Sequence, residues 1–259
     1  MAARTTHSVP VEGGRLHVAV WPGGDPVVLA IHGGMSSHVV WSTLVDRLAG
    51  AATVIAPDYR GAAGSENVGP PYGLEAHADD VTRVLDHFGA ERAVIIGWSL
   101  GGFIAANAAA ALGPRAAAVV LVDGGIPLPM PSGVDALPEA ARASAIKDEL
   151  IKPAMKLRDK GELHGVNLES LGVDILDTLT GDTRDAARRV HAPMSFVWAE
   201  HGPQGEAVGY YPLDAIYEFA AQHPLRIAEG HGLDHYTLML SDRGSRLVAD
   251  EVRWALSTG

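Results

Sequence analysis

Short apolar runs rich in valine, isoleucine and alanine return along this chain with helix-length stretches between them. This alternation narrows the fold more than any other feature of the sequence. The runs are Leu16–Trp21, Val27–His32, Thr53–Pro57, Ala93–Trp98, Val119–Asp123, Met194–Ala199 and Leu225–Glu229. Most are continuously apolar and bounded by Gly, Pro or Asp, which is how strands buried on both faces read. Between them, Val39–Ala49, Leu74–Phe88, Phe103–Leu112, Leu213–Ala221 and Ser245–Leu256 repeat apolar residues three and four apart, which predicts helices. Gly89 and Gly113-Pro114 supply helix stops. The pattern predicts the α/β class, with a mostly parallel, doubly wound sheet covered by helices on both faces.

One stretch breaks the rhythm. From Ile126 to His191 no strand is expected. The stretch opens with Pro127, Pro129, Pro131 and Pro138 and continues in helix-like segments at Ala140–Leu157 and Leu168–Leu179. About 65 residues is too long for a plain loop. The expected organisation is a core domain of residues 1–125 and 192–259 with a helical cap, residues 126–191, inserted into it.

Composition limits the partners. The formal net charge of −11 disfavours phosphate backbones and anionic lipid surfaces, so neither nucleic acid nor membrane is an expected partner. No run of about 18 apolar residues occurs. There is no cysteine, hence no disulfide, thiolate metal site or cysteine nucleophile. Met1 to Gly14 lacks the apolar stretch of a secretory signal, and a cytoplasmic location is expected. The expected partner is a small-molecule substrate, and the chain is expected to act as a monomer or homodimer.

The strongest local signal is Gly97-Trp98-Ser99-Leu100-Gly101, followed by Gly102. It matches G-x-S-x-G, and it stands between a predicted strand and a predicted helix. A serine on so tight a turn is held in strained backbone, at a cost of about 1–3 kcal/mol. Its hydroxyl stands clear of the sheet at a helix N-terminus, where partial positive charge favours a developing anion. The alternative is a glycine-rich turn with a capping serine.

With these residues the chain resembles the α/β-hydrolase superfamily over nearly its whole length. His32-Gly33-Gly34 resembles the family's H-G-x oxyanion turn. Asp58-Tyr59-Arg60-Gly61-Ala62-Ala63-Gly64-Ser65 resembles its D-x-R-G-x-G-x-S loop, with Ala63 in the middle. The elbow around Ser99 and a histidine near the C-terminus complete the order. Leu121-Val122-Asp123-Gly124-Gly125 and Asp234-His235-Tyr236-Thr237 resemble bacterial α/β-fold hydrolases more narrowly. The resemblance implies Ser99 as nucleophile of a Ser-Asp-His triad. It also implies an oxyanion hole built from the backbone N–H groups of Leu100 and Gly34, with Met35 facing the pocket.

Twelve histidines compete for the base. His231 follows Gly230, as in the family's common G-H pattern. His235 fits the D-H-Y-T pattern, and about six residues after Glu229 give it reach over the sheet edge, so His235 is the expected base. A metal reading of the His231/His235 pair fails on Gly230 and Gly232, which oppose a helix there, and on the want of a third ligand. The remaining histidines, His17 and His38 among them, have no supporting context, and His32 suits a structural hydrogen bond. No cofactor and no metal is expected.

The superfamily usually places the acid after the Met194–Ala199 strand, but Gly202 occupies that position. Some members carry it one strand earlier, where Asp123 stands, and the order Ser99, Asp123, His235 then fits. Glu200 and Glu206 remain alternatives, and Asp123 as a turn cap is the structural reading.

The expected activity is hydrolysis of a carboxylic ester, lactone or thioester (a carboxylesterase or lactonase, EC 3.1.1) through an acyl-enzyme. Trp98, Met35 and Met130 are expected at the substrate, which is taken to be small to medium and largely apolar. Met155, Leu137, Ile146, Leu150 and Ile151 line the pocket or form the cap's own core. Serine at position 99 argues against dehalogenase and epoxide-hydrolase chemistry, which in this superfamily uses an aspartate nucleophile. C–C bond hydrolysis, cofactor-free lyase chemistry and a silent ligand-binding protein are the competing readings.

Overall fold

The computed structural model describes residues 3–128, 165–180, 182–203 and 205–259. Eight strands form one sheet in the order β1-β2-β4-β3-β5-β6-β7-β8. They are β1 (Thr5–Val11), β2 (Gly14–Trp21), β3 (Val27–Ile31), β4 (Thr53–Pro57), β5 (Ala93–Trp98), β6 (Ala116–Val122), β7 (Met194–His201) and β8 (Arg226–Asp234). β1 and β2 are antiparallel to their neighbours, and every pair from β4 to β8 is parallel.

β1 is the strand the apolar pattern does not predict. It is a largely exposed edge strand containing Pro10, and it pairs along its whole length with β2. Proline is tolerated at an edge because a missing N–H costs little there.

The helices are α1 (Ser42–Leu48), α2 (Leu74–His87), α3 (Leu100–Leu112), α4 (Leu168–Leu179), α5 (Leu213–Gln222), α6 (Thr237–Leu240) and α7 (Asp242–Thr258). Alternate residues of the central strands feed two cores. Ala93 and Ile95 point with α2 and α3 into one, whereas Val94, Ile96 and Trp98 point with α1 and α7 into the other. Strands covered on both faces have no polar side to alternate with, which explains their continuous apolar reading.

Within 126–191, the described residues hold α4, a 3₁₀ segment at Asp182–Arg189 and a single bridge, Ala62 to Val166. The expected helix at Ala140–Leu157 and the residues Met130, Leu137, Ile146, Leu150, Ile151 and Met155 lie outside the described residues. Asn167 caps α4, its side chain accepting from the N–H groups of Glu169 and Ser170. α4 docks through carboxylates on the start of α2. Gly73 N–H donates to Asp174 Oδ1 at 3.1 Å and Leu74 N–H to Asp177 Oδ2 at 3.0 Å. These acids satisfy N–H groups that open a helix and complement its positive end. No helix among the described residues is long and apolar enough to cross a membrane.

Candidate active site

β5 ends in a turn that the chain can make only with glycine around it. Ser99 follows at φ 57°, ψ −124°, and α3 starts at Leu100. A Cβ on Gly101 would run into the carbonyl oxygens of Ile31 and His32, and one on Gly124 into the carbonyl of Ser99. The turn is therefore packed backbone against backbone. Ser99 N–H donates to the Val122 carbonyl at 2.9 Å, and Gly102 N–H to the Ser99 carbonyl at 2.9 Å. The Ser99 hydroxyl makes no capping bond to α3, so it is not spent on the structural role that competes with nucleophile.

β6 ends one residue before Asp123, a second non-glycine residue with positive φ, at 46°. Its N–H donates to the Val197 carbonyl at 2.9 Å. Its side chain is buried, and Oδ2 accepts from His235 Nδ1 at 2.7 Å. Burial pushes the Asp123 carboxyl above its ordinary value, against the hydrogen bond and charge of His235 and the N–H of Ala199.

His235 stands directly after β8. The sequence places it on a loop about six residues beyond Glu229. The strand instead runs on through Asp234, with a register shift opposite Ala199 and His201. Asp234 then caps the following turn by accepting from Tyr236 and Thr237 N–H. The imidazole is buried among three aromatic rings, with centroids at 5.2 Å from Trp98, 4.9 Å from Tyr210 and 5.4 Å from Tyr236.

Trp98 is only 4% exposed, and its Nε1–H donates to the His235 carbonyl at 3.2 Å. That spends the indole on the core and on the histidine turn. Met35 is 48% exposed, at φ 59° beyond the end of β3. It borders a narrow cleft of ≈ 10 Å³ with Tyr59, Leu171 and Asp174. A Cβ on Gly34 would lie 3.8 Å from Leu100 and from Leu171, which places α4 over the glycine turn. A larger hollow of ≈ 440 Å³, lined by Asp86, Gly89, Ala90, Glu91 and Arg115, opens at the amino ends of β5 and β6, away from these residues. Ligands of open α/β sheets bind at the carboxyl ends instead.

The competing residues point elsewhere. His231 Nε2 lies 2.7 Å from Glu229 Oε2, and Glu200 Oε2 accepts from Gly232 N–H at 2.6 Å. Glu206 packs beside Gly202, its carbonyl accepting the Gly202 N–H at 3.1 Å.

His32 is fully buried, its Nδ1–H donating to the Gly33 carbonyl at 2.8 Å and its ring stacked on Tyr59. Burial, opposed by the nearby Asp58 charge, pushes it down to about 4. Around Asp58 the structure gathers residues that the sequence leaves without context. Val18 pairs with Pro57, which sets His17 beside Asp58, and His38 arrives from the turn after β3. His17 Nδ1 is 3.0 Å from Oδ2 and His38 Nδ1 is 3.0 Å from Oδ1. No local signal announces this cluster, because its members meet only through sheet register.

The family pattern described as the alpha/beta hydrolase fold matches residues 26–152. The chain is similar to the soluble epoxide hydrolase of Corynebacterium sp. (strain C12), 35% identical over 101 residues, covering 39% of this chain and 35% of that one. It spans between about a third and a half of the length of the first curated relatives it matches. Among solved structures it is similar to E-2-(acetamidomethylene)succinate hydrolase, with a TM-score of 0.73, 22% identity and coverage of 98% of this chain and 100% of that one. It is also similar to the enol-lactonase from Burkholderia xenovorans LB400, with a TM-score of 0.72, 19% identity and coverage of 95% and 100%. At these identities the structural likenesses show the fold.

Proposed function

We propose that the chain is a serine hydrolase of the α/β-hydrolase superfamily, whose family pattern matches residues 26–152, and that Ser99, His235 and Asp123 act as its triad. The observation that carries this reading is the 2.7 Å bond from His235 Nδ1–H to buried Asp123, on a histidine packed against the neighbour of a strained serine. Asp123 holds the imidazole tautomer with Nε2 free to accept a proton. Ser99 Oγ attacks the substrate carbonyl as His235 takes its proton. The Leu100 and Gly34 N–H groups receive the oxyanion. His235 then protonates the leaving oxygen or sulfur as the tetrahedral species collapses to an acyl-enzyme. Water, deprotonated by His235, releases the acid and restores Ser99.

The proposed substrate is a carboxylic ester, lactone or thioester, small to medium in size and largely apolar. Exposed Met35, Tyr210 and Tyr236 and the neighbouring Leu171 offer apolar contact around the site. An enol-lactonase and esterases among the structural relatives fit this class. The epoxide hydrolase relative does not redirect it, because epoxide opening in this superfamily runs on an aspartate where this chain has Ser99. Residues 126–191 are read as the cap that selects the substrate.

A fluorophosphonate probe tests the nucleophile. Wild-type protein is expected to be labelled at Ser99, and Ser99→Ala to be blank. Absence of labelling in folded wild-type protein leaves a ligand-binding protein on the same scaffold. A panel of p-nitrophenyl esters, lactones and thioesters tests the substrate class. Activity confined to strongly charged acids contradicts it.

A further inference from the structure

We propose that His17, His38 and Asp58 form a binding site for a divalent transition metal, with zinc the best fit. The site is separate from the triad and does not depend on the serine-hydrolase reading.

The donor set is the first argument. Imidazole nitrogen and carboxylate oxygen are borderline ligands that suit zinc and its neighbours. One ligand atom from each of His17, His38 and Asp58 falls within 4.8 Å of the others. His17 Nδ1 and His38 Nδ1 stand 3.0 and 3.1 Å from the same oxygen, Asp58 Oδ2. Ligand bonds of 2.0–2.2 Å in a tetrahedron put neighbouring ligand atoms roughly 3.3–3.6 Å apart. The cluster is close to that spacing before any metal enters.

The second argument is an orphaned lone pair. His32 Nδ1–H is committed to the Gly33 carbonyl, so Nε2 carries no proton. That nitrogen is fully buried and has no hydrogen-bond partner among the described residues. It faces Asp58 Oδ1 at 3.7 Å. Asp58 Oδ1 already accepts from the His38 N–H at 2.7 Å, so the His32 lone pair is left in a dry interior beside a carboxylate, which is unfavourable. A cation held on Asp58 eases that repulsion without ligation by His32.

The outer contacts are those of a metal site. Ligating carboxylates are themselves commonly hydrogen-bonded. Asp58 accepts the N–H of His38 at 2.7 Å and that of Gly64 at 3.1 Å. His17 is 30% exposed in its side chain although its Nδ1 is buried, so an ion enters as that ring swings aside.

Protons must move for the metal to bind. In the metal-free state the His38 Nδ1–H points at the carboxylate, whereas His17 Nδ1 lies 3.0 Å from Asp58 Oδ2 without forming a hydrogen bond. On binding, the His38 ring shifts its Nδ1 proton through solvent to Nε2. At His38 this has a consequence, because Nε2 now accepts from Arg4 at 3.2 Å. Arg4 is exposed and must swing away. It opposes the metal both by charge and by that hydrogen bond.

The experiment uses the full chain stripped with a chelator. Isothermal titration with zinc, the ligand-field spectrum with cobalt and the thermal shift with each are the readouts. Wild type is expected to bind one ion with a four-coordinate cobalt spectrum and a raised melting temperature. His17→Ala and His38→Ala, checked for fold by circular dichroism without metal, are each expected to weaken binding at least about tenfold. Arg4→Ala is expected to tighten it. His231→Ala, which removes the surface histidine between Glu229 and Glu200, is expected to leave it unchanged. Absence of one-to-one binding in wild type overturns the proposal, and so does binding that survives both cluster variants or is lost in His231→Ala.

Discussion

The indole Nε1–H of Trp98 donates to the main-chain carbonyl of His235 at 3.2 Å, so the residue before the serine holds the turn that carries the histidine. Trp98→Phe keeps a ring against the imidazole and removes only the donor. Leaving a buried carbonyl unpaired costs about 1–3 kcal/mol, shared between stability and the placement of His235. We expect kcat to fall roughly tenfold with KM nearly unchanged, the signature of an interaction used in the transition state. Steady-state kinetics on any active ester decides it. A raised KM at constant kcat assigns Trp98 to substrate contact instead.

As the proposed triad acid, Asp123 sets activity against stability. Burial raises its carboxyl above the ordinary 3.8. Just above that ordinary value the native state therefore holds a proton that the unfolded chain has released. Stability contributed by this group falls as pH rises through that window, and at neutral pH the charge is a net cost. Asp123→Asn removes the cost, and asparagine tolerates the positive φ. Turnover is expected to drop by roughly 10⁴, because the amide favours the wrong imidazole tautomer. The melting temperature at neutral pH is expected to hold or rise. A variant that melts well below wild type counts against this account.

Strain at Ser99 can be read directly. Glycine relaxes the conformation at φ 57°, ψ −124° where alanine does not. Ser99→Gly is expected to exceed Ser99→Ala in stability by about 1–3 kcal/mol. For a domain of this size that is roughly 2–4 °C per kcal/mol in melting temperature. Neither variant should take a fluorophosphonate label. Equal melting temperatures sink the strain argument while leaving the nucleophile assignment intact.

His32 predicts how the metal-free fold responds to acid. Its ordinary value is 6.5 and burial takes it to about 4. Between those values the unfolded chain binds a proton that the native state refuses, so stability declines as pH falls through that interval, by roughly 3 kcal/mol in full. Burial also pushes the Asp58 carboxyl up, but hydrogen bonds from the His38 side chain and backbone, with the charges of His32 and His38, bring it below its ordinary value. Its stabilising contribution is lost at still lower pH. Urea melts at pH 7, 5.5 and 4 measure the slope. His32→Asn should flatten it, and an unchanged slope excludes His32 as the source.

The parts legible in the sequence are those fixed by backbone constraints. Gly97, Gly101 and Gly102 around Ser99 announce a turn that no other residue type could make. Asp123 closes an apolar run with two glycines behind it. The central strands announce themselves because both faces are buried. The illegible parts depend on pairing between distant segments. β1 hides behind Pro10 and exposed polar residues, since only β2 requires it to be a strand. The extension of β8 through Asp234 includes glycines that read as loop. Trp98 reads as a pocket residue until its indole is seen on the His235 carbonyl. His17 and His38 gain context only when the register of β2 on β4 brings Asp58 between them.

The backbone contacts beneath the serine reach beyond one turn. A side-chain atom on Gly102 would strike the Gly124 carbonyl, and one on Gly124 would strike that of Ser99. The serine turn and the aspartate turn thus form one rigid plate with no adjustable filler between them. Such a plate cannot be retuned by substitution from below. On the proposed function, changes of specificity come from the side that faces it: the cap, with α4, Met35 and the aromatic pair Tyr210 and Tyr236 among the described residues.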